Sequence, residues 1–167
     1  MNIEGYGLHS PFRKVALEAV DKFNIKESCV SDFKELLELI PRDKFDLKPF
    51  TTLMTISEKE VKPILPALLF CVADMNWPIA SEMVKVLIRF PESVVLIIKG
   101  VLQSTEKDES WKWFIITSLI PELPEKYQEL LLEDINRIVH HPTSSELDEE
   151  VEEVAKNYLK TWWGCNE

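Results

Sequence analysis

The sequence predicts an all-α fold, a short stack of antiparallel helix pairs, and three observations carry that expectation. Apolar residues recur at i, i+3, i+4 and i+7 through most of the 167-residue chain, which is the spacing of one face of an α-helix. Only 4 glycines occur, too few for the turns and bulges that an all-β chain needs. Two stretches can also be laid over one another at a shift of roughly 34 residues, within the range of helical repeats. At 46% hydrophobic content the chain has enough apolar residues for one continuous core, so a single domain suffices.

The polar, aperiodic segment Met1 to Ser10 reads as a loose arm. A helix is expected from about Pro11 to Phe23, with Ser10 as N-cap and Pro11 at the first position, where a missing N–H costs nothing. The next begins at Ser31, carries Phe33, Leu36, Leu37 and Ile40 on one face, and is stopped by Pro41. Arg42 to Lys48 is then a charged loop. A single turn over Pro49 to Met54 precedes Ser57, which stands three residues before Glu60 at the spacing of a capping box. Beyond it Val61, Ile64, Leu65, Leu68, Leu69 and Val72 share a face, but Pro63 and Pro66 crowd the preceding turn. A short helical turn followed by a main helix from Pro63 or Pro66 resolves that conflict.

Pro78 opens a helix to about Phe90, with Ile79, Met83, Val86, Leu87 and Phe90 inward. Pro91-Glu92 restarts the chain, and Val94, Val95, Ile97, Ile98, Val101 and Leu102 follow at helical spacing. The next helix is capped by Asp108, buries Trp111, Phe114, Ile115 and Leu119, and closes at Pro121 and Pro124. From there Tyr127, Leu130, Leu131, Ile135, Ile138 and Val139 form a stripe that ends at His140-His141-Pro142. The last helix starts between Thr143 and Ser145 and turns Leu147, Val151, Val154, Ala155, Tyr158, Leu159 and Trp162 inward. Placing Trp77 over Trp111 also brings Pro91-Glu92 to within one residue of Pro124-Glu125, and this loose internal match gives the stack a HEAT-like layout. The organisation expected is an arm and helix over 1–30, a helical-repeat domain over 31–162 and a tail over 163–167.

Charge narrows the function. The formal net charge is -10, from 29 acidic and 19 basic residues, which repels nucleic-acid phosphates and anionic membrane surfaces. Neither is an expected partner; another protein is, and a basic one remains open. The N-terminus has no charged and apolar leader pattern, and no stretch is apolar enough to span a bilayer. Cys29, Cys71 and Cys165 are odd in number and widely spaced, as in a reduced, cytoplasmic protein.

Ile64-Leu65-Pro66, Asp74-Met75-Asn76-Trp77-Pro78, Leu119-Ile120-Pro121-Glu122-Leu123-Pro124 and His141-Pro142-Thr143 form a recurring pattern. So do Leu39-Ile40-Pro41, Lys44-Phe45-Asp46 and Val151 to Ala155. On these residues, from about Phe33 to Tyr158, the chain resembles a bacterial family of all-helical domains of unknown function. His141 departs from the Asn usual before Pro-Thr in that family. The resemblance implies a helical-repeat-like fold and brings no assigned activity, cofactor or partner.

Asp74, Asn76 and Trp77 are the most distinctive cluster. They can line the mouth of a groove, or they can serve as turn and cap residues with a packed indole. Trp113 and Trp163 are further candidates for an exposed contact patch. No catalytic, metal-ligating or cofactor-binding residue is predicted. His140 and His141 suit a helix C-terminus, point about a quarter turn apart and lack a third ligand. The acidic run Glu146, Asp148, Glu149, Glu150, Glu152 and Glu153 is either a solvated helix face or a docking surface for a basic protein. The leading reading is a non-catalytic protein-binding module, one specific version of which is an immunity or antitoxin-like protein. The rival is an enzyme on the same scaffold, as in the helical-repeat DNA alkylpurine glycosylases. That chemistry needs Asp74 or Glu82 buried within a ring of Lys and Arg.

Overall fold

The computed structural model describes Lys14, residues 35–104 and residues 110–165, and is helical throughout, with no strand among the described residues. The arm, the helix expected over Pro11 to Phe23, Cys29 and the Asp108 cap lie outside the described residues apart from Lys14. The chain divides into two compact units. One is Met1–Val72 with Asn76–Phe90, and the other is Ala73–Met75 with Pro91–Glu167.

In the first unit residues 35–38 are helical and Pro41 follows, as the Ile40-Pro41 pair predicts. Helix α1 (Phe50–Leu53) is the expected single turn. Helix α2 (Glu58–Val61) opens on the Ser57 and Glu60 capping box, with the Glu60 carboxylate bonded back to both Ser57 N–H and Ser57 Oγ. Those two bonds hold the Glu60 carboxyl below its ordinary pKa. Pro63 then falls in a 3-10 turn (Lys62–Ile64), and Pro66 in the first turn of α3 (Leu65–Phe70), where the missing donor is tolerated. Leu65, Leu68 and Leu69 are fully buried, as the periodicity requires.

Helix α4 (Ala80–Leu87) begins later than Pro78, with Ile79 at its N-cap, and residues 88–90 form a turn. Asn76 is therefore not its cap; Ala80 N–H bonds Trp77 O across a turn that leads in. Met83, Val86 and Leu87 are fully buried, as are Leu53 and Ile64. Arg89 crosses the unit to bond the carbonyls of Leu53 (2.6 Å) and Ile56 (3.3 Å), while its guanidinium lies 4.8 Å from the Phe90 ring centre. These bonds satisfy the carbonyl of the last residue of α1 and one in the turn beyond it, neither of which a helix so short can use.

The second unit opens with α5 (Pro91–Gln103), which buries Val94, Val95, Ile98 and Leu102. Helix α6 (Ser110–Phe114) widens into a π-helix (Ile115–Leu119) and closes in a 3-10 turn (Ile120–Glu122). The cause is Pro121: it brings no N–H, and its ring crowds the carbonyl one turn back. Ile120 N–H reaches Ile115 O, five residues back, and Thr117 Oγ1 donates to Trp113 O at 2.9 Å.

The remaining helices are more broken than their periodicity predicts. The stripe from Tyr127 divides into α7 (Glu125–Glu129) and α8 (Leu132–His140), and Leu130 at the break is 53% exposed rather than inward. The last helix divides into α9 (Ser144–Asp148) and α10 (Val151–Cys165). Glu150, between them, sits at φ 55°, the left-handed region, and the kink turns α9 out of register with α10. Leu147 is consequently 54% exposed. Along α10 the expected face holds: Val151, Ala155 and Leu159 are buried, and Tyr158 and Trp162 are half-buried and stacked 6.4 Å apart. Gln128 fastens this helix to the preceding turn, accepting from Tyr158 at 2.6 Å and donating to Leu123 O at 2.6 Å. Burial raises the Tyr158 pKa to about 12, so this hydroxyl stays a donor.

Candidate functional site

The densest polar chemistry in the described residues lies inside the second unit, around Glu146. Helix α9 starts at Thr143, whose Oγ1 accepts from Glu146 N–H at 3.1 Å while the Glu146 carboxylate accepts from Thr143 N–H at 2.8 Å. That is an ordinary capping box. Its location is not ordinary, because Glu146 is completely buried. A carboxylate taken out of water must be neutralised and hydrogen-bonded, and two cations do this. Arg137 forks onto it with Nη1 to Oε2 at 2.6 Å and Nη2 to Oε1 at 2.7 Å. Lys112 Nζ reaches Oε1 at 2.8 Å.

Each cation also holds a carbonyl at the end of α5. Lys112 Nζ bonds Ser104 O at 2.6 Å, and Arg137 Nη2 bonds Leu102 O at 2.6 Å. The Lys112 side chain is itself 2% exposed, whereas that of Arg137 is 32% exposed. Three side chains thus join the end of α5, helix α6, helix α8 and the start of α9. Burial alone would raise the Glu146 pKa; the bonds from Arg137, Lys112 and Thr143 N–H outweigh it and bring it down to about 2. A carboxylate so acidic, with both oxygens occupied and no exposed surface, cannot serve as a general base at neutral pH. This node is a structural tie.

Nearby, Asp134 accepts from Gln103 Nε2 at 2.7 Å and lies 3.8 Å from Lys99 Nζ, which ties α8 to α5 a second time.

The residues singled out in the sequence are divided between the units. Asn76 and Trp77 belong to the first, and Asp74, Trp113 and Trp163 to the second. Trp77 is half-buried, edge-on to Phe70 at 5.9 Å, and Asn76 is exposed. Asp74 is half-buried. Trp113 is half-buried against Phe114 at 5.1 Å, and Trp163 is 56% exposed. Glu82 is only partly buried and bonds Lys85 at 2.8 Å in an i,i+3 pair on the surface of α4. His140 ends α8 and His141 follows it, both exposed. Among the described residues no group of three His, Cys, Asp or Glu could hold a metal ion. Cys71 is buried, its thiol pKa pushed up by burial, and its Sγ lies 3.6 Å from Ala67 O.

Reading Glu146 with the acidic run as solvated surface is corrected by its complete burial. The signal for it was present: Thr143 and Glu146 have the same spacing as Ser57 and Glu60. Lys112 among Trp111, Trp113 and Phe114, and Arg137 between Ile135 and Ile138, were lone cations beside apolar stripes. Nothing local said that they meet. The rest of the run behaves as expected, with Asp148, Glu149, Glu150 and Glu153 exposed and Glu152 paired with Lys156.

Among the described residues no helix is long and apolar enough to cross a membrane. No curated protein matches the chain. A family model described as a domain of unknown function (DUF5071) matches residues 39–159, well over half of the sequence. The chain belongs to that family of domains of unknown function.

Proposed function

We propose that this domain is a non-catalytic protein-binding module that takes a basic protein partner, in the manner of a cytoplasmic immunity or antitoxin protein. One observation carries the reading. The second unit exposes Asp148, Glu149, Glu150 and Glu153, near in sequence to the exposed Leu147, while two of its cations, Lys112 and Arg137, bond the buried Glu146. Carboxylates rimming an apolar anchor speed encounter with a positive surface, and the anchor adds affinity by losing its contact with water. The formal net charge of -10 extends that attraction over the whole molecule.

Trp163 is the exposed aromatic closest to the chain's end, and Trp113, Asp74, Asn76 and Trp77 remain further contact positions in this proposal. A HEAT-like layout of residues 31–162 belongs to the same reading. It is supported by the two Pro-Glu steps, since Pro91 is the first residue of α5 and Glu125 the first of α7.

The test is affinity capture on the tagged chain from its native cytosol, followed by light scattering of the purified complex. The expected result is a stoichiometric basic protein, lost when Glu149 and Glu153 are both changed to Lys and weakened by added salt. Recovery of only substoichiometric proteins, or of a partner indifferent to the charge reversal, would overturn the proposal.

A further inference from the structure

We draw no further inference here: the strongest candidate, the loop between Pro41 and Pro49 that holds Phe45 and Leu47 out to solvent, sets the carboxylates of Asp43 and Asp46 beside Lys44 and Lys48, so its charge selects no partner, and nothing in the structure shows what covers it.

Discussion

Glu146→Gln is the sharpest perturbation of this domain. It preserves the volume of the side chain and removes its charge, taking from Lys112 and Arg137 the carboxylate that they share. Arg137, whose side chain is 32% exposed, can turn toward water; Lys112, at 2%, cannot. The cost is therefore that of a buried ammonium deprived of its carboxylate, ~3–5 kcal/mol for breaking one side of a buried pair. The Glu146 pKa gives an independent magnitude. A fall from 4.5 to about 2, at ~1.4 kcal/mol per unit, corresponds to about 3 kcal/mol.

The sign follows from the lowered value. The contribution is fully present above about pH 4.5 and is lost as the pH falls toward 2. Urea denaturation followed by the fluorescence of the 5 tryptophans reads it directly. At neutral pH the variant should lose ~3–5 kcal/mol, and the gap from the parent chain should close by about 3 kcal/mol on acidification. Adding Lys112→Met to the variant should recover part of the loss, because the buried ammonium is then gone. A variant within ~0.5 kcal/mol of the parent at neutral pH, the range of ordinary surface changes, would refute the reasoning. So would a gap that does not change with pH.

Three further outcomes are expected. Thr143→Ala removes the acceptor for Glu146 N–H and should cost ~1 kcal/mol, read from the same urea midpoints; an unchanged midpoint would show that the cap contributes nothing. Glu150→Gly should raise the melting temperature and Glu150→Val should lower it, since a left-handed backbone costs a non-glycine residue ~1–2 kcal/mol and a β-branched one more. Identical melts for the three chains would count against the strain at φ 55°. Cys71→Ala should leave the thiol count of the native protein toward a disulfide reagent unchanged, because the buried Cys71 does not react until the chain unfolds; a drop of one reactive thiol would contradict its burial.

The sequence made the local features of the fold readable wherever a short-range rule applied. Ser57 and Glu60 announced α2 three residues apart, Pro63 and Pro66 announced a stuttering entry to α3, and Pro91 announced α5. The rule failed at Leu130 and Leu147. Both match the helical period on paper, yet each lies at a break that no glycine or proline marks, and both end up exposed. Glu150 adopts the conformation usually assigned to glycine, so the kink is imposed by tertiary packing rather than residue preference. The Lys112 and Glu146 pair lay beyond reach for a different reason. Its members stand 34 residues apart, and one sequence contains no term for so distant a meeting. The proposed docking residues drew on exposure, which periodicity predicted for Glu149 and Glu153 and mispredicted for Leu147.

The node at Glu146 also constrains how this domain can change over generations. Lys112, Arg137 and Glu146 are unequal members of one set: losing Glu146 takes from both cations the carboxylate they share, losing either cation leaves that carboxylate to the other, and replacing the set with apolar groups of similar volume need cost little. Routes through sequence space that remove Glu146 first must therefore pass through a destabilised intermediate or change its companions together. Descendants that lack the buried Glu146 should therefore also lack the buried Lys112.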